Sequence, residues 1–211
     1  MSDIAVQAGD LITIGASAAV LQVIQANGIQ PGDFPFAVEF RLPMQNLDKA
    51  WYEYAASQGS YAGHPPARDW NLETLGNTDL GEPLVAPWTG IVITAANIGG
   101  KVGRVVQLLG LTPEGEVLVW AGWHLEDVAV KVGQIVHVGS AIGTIGNAGG
   151  IYSAHLHEQI VRIGGKKYYG IPSPATFTTD TRYEWLDPLE FYPARGVDAD
   201  LVRRVSRFDK E

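Results

Sequence analysis

The stretch YSAHLHEQI, residues 152–160, sets His155 and His157 one residue apart in a chain that has five histidines in all. In a strand, residues i and i+2 point to the same face, roughly 6.5–7 Å apart. His155 and His157 would then share a face with Gln159, and Leu156 would point the other way. Two imidazoles on one face can hold one metal ion, or one can hold it while its neighbour moves a proton. The plainer reading is a pair of half-exposed polar residues on a sheet. His64 and Asp69 stand in a turn-rich segment, AGHPPARDWN, and His124 in WAGWHLED, at an expected strand end. Taken singly, each is as well explained as a surface histidine or a turn-capping aspartate. The chain has no cysteine, so any metal must be held by His, Asp or Glu, and a thiol nucleophile is excluded.

The elements that must position these residues are short and β-rich. The segments PLVAPW, GIVITAAN, RVVQLLGL, VLVWAGWHL, QIVHVG, AIGTIG and HLHEQIVRI carry apolar, β-branched patterns. Turns such as TPEGE and NAGG separate some of them, and the 25 glycines suit tight turns and strand bends. The pattern predicts a mainly β chain: a compact antiparallel sheet or barrel-sandwich-like domain over about residues 57–195. Residues 1–56 are expected to form a small mixed N-terminal arm. In it SAAVLQVIQANG reads as a helix, FAVEFRL as a strand and NLDKAWYEYAASQG as a further helix. RYEWLDPLEFYP looks like a closing segment, and residues 196–211 a charged, helical tail.

Hydrophobic residues make up 46% and charged residues 18% of the 211, a globular composition with room for one sizeable core. The formal net charge of −8 offers no basic face for nucleic acid. The first Lys or Arg is Arg41, so the N-terminus lacks the positive stretch of a secretory signal, and IGASAAVLQVI is too short to span a bilayer. The expectation is a protein secreted, periplasmic or carried by a phage particle, whose leader is removed or not needed.

The run HPPARDWN, TDLGEPLVAPWTGIV, WHL, VKVGQIVHVGSAIGTIGNAGG and AHLHEQI, in that order, resembles the lysostaphin-type (LytM-like) zinc endopeptidases with their duplicated hybrid motif. The resemblance covers roughly residues 60–162. It implies His64, Asp69 and His157 as zinc ligands, His124 and His155 as catalytic histidines, and hydrolysis of peptide bonds in bacterial peptidoglycan. His137 matches no family ligand and reads as a sheet residue. The chemistry is coherent on its own terms. Two His and one Asp leave a zinc position open for water, whose pKa falls towards ~7. A neighbouring imidazole can then stabilise the oxyanion and pass a proton to the leaving amine. No H-E-x-x-H is present, so the histidines take the place of a glutamate base.

Three departures from the family pattern stand out. HPPARD has four residues between His and Asp where relatives have three, Gly122 stands where an aromatic residue is usual, and Glu158 where Phe is usual. The two prolines stiffen the HPPARD loop, and a small bulge would return Asp69, rather than Asp79, to the metal. Trp70 and Trp123, next to Asp69 and His124, are candidates for lining a substrate groove, with burial in the core as the alternative. A catalytically degenerate module of the same fold, docked through the N-terminal arm in an envelope or phage assembly, is the competing function. A biotinyl- or lipoyl-type carrier is disfavoured because the GNAGG turn has no lysine.

Overall fold

A computed structural model describes residues 34–49, 51–55, 66–163, 172–176 and 180–205. Ten strands and two helices are formed among them: β1 Trp51–Ala55, β2 Arg68–Leu72, β3 Pro83–Val85, β4 Gly90–Gly99, β5 Gly103–Leu111, β6 Val117–Leu125, β7 Ile135–Val136, β8 Ala141–Thr144, β9 Leu156–Ile163, β10 Glu184–Leu186, α1 Pro188–Ala194 and α2 Ala199–Val205. The chain is mainly β, as its pattern predicts. A curled antiparallel sheet runs β1-β2-β9-β6-β5-β4-β7, with β10 also paired to β9, and β3 and β8 make a separate two-stranded sheet.

The seven strand segments expected between residues 83 and 163 all contain strands. NLDKAWYEYAASQG differs. Its helical spacing is overridden, and Trp51–Ala55 pairs antiparallel with β2 from Trp51↔Leu72 to Ala55↔Arg68. Tertiary pairing outweighs helix propensity here because propensity differences are only tenths of a kcal/mol per residue. FAVEFRL forms no strand; it touches the sheet through isolated bridges, Phe36↔Leu111 and Phe40↔Trp88. The helix expected in SAAVLQVIQANG lies outside the described residues. The tail is helical at Ala199–Val205, as its pattern suggests.

The core is built on tryptophan. Trp51, Trp70, Trp88, Trp120 and Trp123 are all almost fully buried. Each indole removes roughly 150–250 Å² from water, about 4–6 kcal/mol at ~25 cal/mol per Å². Leu42 and Met44, from the chain before β1, share one cluster with Trp70, Trp88 and Trp120. Helix α1 closes the far side. Asp187 caps it by accepting from the Leu189 N–H, Pro188 occupies its first turn, and the Arg68 guanidinium at the start of β2 binds the same carboxylate.

Candidate active site

Strand β9 is the spine of the site. Its neighbours are β2 on one side and β6 on the other, in a register that sets His157 opposite both Asp69 and Trp123. Directly opposed side chains on one face lie close enough to touch. Accordingly, His157 Nδ1 is 2.7 Å from Asp69 Oδ1, and its ring stacks on Trp123 at 4.5 Å between centroids. The nitrogen of the Gln159 carboxamide, two residues along the same face, lies 3.1 Å from His157 Nε2. Both ring nitrogens of this buried histidine are therefore engaged.

His124 ends β6 in an unusual way. Its φ is +68°, a left-handed conformation that non-glycine residues seldom adopt and that often marks a functional position. Its main-chain N–H donates to the Val102 carbonyl at 3.0 Å, and Nδ1 approaches the same oxygen at 3.2 Å. The turn before β9 closes over it through Gly146, which bridges to His155. A Cβ on Gly146 would lie 2.2 Å from the His124 carbonyl oxygen, so only glycine permits this approach. The approach brings the His124 and His155 rings to 4.5 Å between centroids, and His124 and His157 to 5.8 Å.

His155 precedes β9 and is held the same way: Nδ1 is 2.8 Å from the Ser153 carbonyl. A carbonyl can only accept, so Nδ1 carries a proton in both His124 and His155, and in the neutral form of each ring Nε2 keeps the lone pair. His155 Nε2 faces Asp69 Oδ1 at 3.9 Å. The Tyr152 ring lies 5.1 Å from His124 and 5.7 Å from His155.

The electrostatics follow from burial and crowding. Burial, then the adjoining His155 and His157, holds the His124 imidazole down at about 2, so it is neutral in the metal-free site. Burial pushes the Asp69 carboxyl up, but His157, with help from His155 and His124, outweighs it and keeps Asp69 below the usual carboxylate range.

Asp69, His124, His155 and His157 thus come together. His64 lies outside the described residues, and His137 is exposed on the chain after β7, away from the cluster. Asp79 is buried elsewhere, held by main-chain N–H groups at Asp79 and Leu72. Trp70 is fully buried and gives its indole N–H to Glu158 Oε2 at 2.7 Å; Trp123 is buried under His157. The ring of Trp120 fills the space above Gly122, 2.3 Å from where a Cβ would stand.

Sequence reasoning assigned no function to Gln159, Tyr152 or Glu158. Gln159 was within reach, since period two sets it on the face of His157. Tyr152 comes close through the turn at 147–150, which strand periodicity does not describe.

The donor chemistry suits zinc. Asp69 Oδ1 and His157 Nδ1, hydrogen-bonded to each other here, are both zinc-ligand types, and Gln159, with its carboxamide turned to present the oxygen, can accept from the second nitrogen of that imidazole, a common support for metal-bound histidine. Among the described residues no group of three such donors is placed to hold a metal ion.

Residues 75–169 match the model of Peptidase family M23. This stretch is therefore similar to the M23 peptidases, in keeping with the resemblance to the lysostaphin-type peptidases. Lysostaphin from Staphylococcus simulans superposes with a TM-score of 0.51 at 22% identity over 76% of this chain and 55% of that one. A peptidase M23 structure from Pseudomonas aeruginosa matches with a TM-score of 0.45 at 18% identity, covering 78% of this chain and 55% of that one. A zinc containing peptidase from Vibrio cholerae gives 0.47 at 19%, over 72% and 39%. The lysostaphin match shows a shared fold. The chain spans about half the length of the first two of these proteins. No curated protein sequence matches it.

Proposed function

We propose that this chain is a zinc-dependent endopeptidase that hydrolyses peptide bonds of bacterial peptidoglycan. The observation that carries the reading is the convergence of Asp69, His124, His155 and His157, with Nε2 of both His124 and His155 left as a free base. His64, Asp69 and His157 would hold the zinc ion. When bound, zinc supplies a Lewis acid to an amide carbonyl and lowers the pKa of a water molecule towards ~7.

The chain's own groups divide the remaining work. The Ser153 carbonyl fixes the tautomer of His155, so Nε2 takes a proton from the attacking water and later returns one to the leaving amine. His124, oriented by the Val102 carbonyl, takes up a proton from solvent at Nε2 as negative charge builds beside it and then donates it in a hydrogen bond to the oxyanion. Asp69 stays ionised and balances the positive charge that gathers on the imidazoles. The substrate is a peptide that reaches the cluster where the Asp69 and His155 side chains are partly exposed.

The test is mass spectrometry of muropeptides after digestion with zinc-loaded protein. New termini at one type of peptide bond are expected. Unchanged muropeptides from walls of several cross-link types would overturn the reading in favour of a degenerate module of the same fold.

A further inference from the structure

Beside the histidine cluster lies a cavity of about 230 Å³, between the β4–β5 hairpin and the turn that precedes β9. Asn97, Gly103, Arg104, Ala148 and Ile151 are among its walls, and no acidic residue is. Its wall adjoins the catalytic residues. A Cβ on Gly103 would lie 3.0 Å from the Ala148 Cα and 3.7 Å from the His124 Cα. Arg104 pairs in register with Leu125, the residue after His124. Ile151, half exposed on the rim, is followed directly by Tyr152, whose ring meets both His124 and His155.

Arg104 differs from the other described arginines: Arg41 donates to the Leu42 and Met44 carbonyls, and Arg204 is exposed. With a net charge of −8, acidic partners are plentiful. Arg68, Arg162, Arg182, Arg195 and Arg203 each bind a carboxylate. Arg104 is half-buried, and among the described residues no hydrogen bond or ion pair is made by its side chain. A partly desolvated guanidinium with no internal anion is matched by an external one, and its planar fork suits a carboxylate in two parallel hydrogen bonds.

We propose that the Arg104 cavity is a substrate subsite for a free carboxylate on the peptide, one to three residues from the bond that is cut. This deepens the peptidase reading and rests on it. Peptidoglycan stem peptides carry such side carboxylates and oligoglycine bridges do not, so the site selects stem peptide over glycine bridge. The spacing follows from geometry: neighbouring strands set Arg104 one residue beyond His124, and an extended peptide advances roughly 3.3–3.6 Å per residue.

The experiment compares two stem peptides that differ only in a D-glutamyl α-carboxylate, free or converted to the carboxamide. Steady-state cleavage by the zinc-loaded protein and by Arg104→Gln is measured, with thermal unfolding of both as the control for folding. The parent is expected to favour the free carboxylate by 10-fold or more in kcat/KM, mostly through KM, and Arg104→Gln to bring the ratio close to 1. An equal rate on both peptides by the parent, or a ratio that survives in Arg104→Gln, would overturn the subsite. The same peptides are titrated calorimetrically into zinc-loaded His155→Ala. Tighter binding of the free carboxylate there without cleavage by the parent supports the subsite and counts against the peptidase reading. Absence of binding by either peptide counts against both.

Discussion

Glu158 is fully buried on the face of β9 opposite His157, with three donors around it. Trp70 Nε1 reaches Oε2 at 2.7 Å, Trp120 Nε1 reaches Oε1 at 2.7 Å, and the Tyr192 hydroxyl reaches Oε1 at 2.6 Å. One carboxylate therefore joins β2, β6, β9 and α1 directly behind Asp69 and His157. Glu158→Gln leaves an amide oxygen for Trp120 and Tyr192 but turns an NH₂ towards the Trp70 N–H. One charge-assisted hydrogen bond is lost, about 1.5–3 kcal/mol, and two buried donors face each other at about 1–3 kcal/mol more. Burial pushes this carboxyl up, so removing the charge returns part of that cost. The expected net loss is about 2–4 kcal/mol, read as a lower urea midpoint. Adding Trp70→Phe removes the opposing donor, so the double variant should lose less than the sum of the two single losses. Zinc affinity should fall with Glu158→Gln, because Trp70 and Glu158 adjoin Asp69 and His157 in sequence. A Glu158→Gln protein within about 0.5 kcal/mol of the parent, or strictly additive losses, would refute the reasoning.

His157→Ala should lose most zinc, whereas His155→Ala should keep zinc, measured by metal analysis, and lose about 10²–10⁴ in kcat; equal zinc loss in both would mean the two roles are not separate. Gln159→Leu removes the partner of His157 Nε2 and should weaken zinc binding about 10-fold in a chelator competition, with little change in thermal stability. Asp79 is buried, its Oδ2 has no hydrogen-bond partner, and burial raises its pKa from 3.8 to about 6. A carboxyl raised in the folded state favours folding fully below pH 3.8 and loses that contribution as pH rises through 6, so Asp79→Asn should gain roughly 1–3 kcal/mol at pH 7.5 and almost nothing at pH 3.5, by urea unfolding.

How much of this was legible in sequence depends on the range over which each feature is determined. The strands between residues 83 and 163 were legible because each is an apolar run bounded by turn residues, and the pattern is local. Trp51–Ala55 was not, because WYEYA carries helical and strand signals alike and β2 decides between them from 13 or more residues away. In the site, the shared face of His155, His157 and Gln159 follows from period two, and Asp69 and His124 joined them through the resemblance. The tautomers did not follow, since they depend on the Val102 and Ser153 carbonyls, and neither of these main-chain acceptors has a sequence signature. Nor did the left-handed His124, which needs Gly146 from a turn 22 residues further along the chain to pack against its carbonyl.

Glu158 shows why one departure from the family pattern is compatible with the rest. A lone carboxylate in place of Phe at the centre of a sheet would be expelled or protonated. Here Trp70 and Trp120 both bring indole N–H groups to it and Tyr192 adds a hydroxyl, so the carboxyl stands in a ring of donors whose rings still fill the core. The same two tryptophans account for two other features. Trp70 anchors the strand that carries Asp69, and Trp120 fills the volume that an aromatic residue at 122 would otherwise occupy. The departures at Gly122 and Glu158 are therefore one packing solution, in which the polar end of a core built on tryptophan meets the back of the strand that holds the histidines.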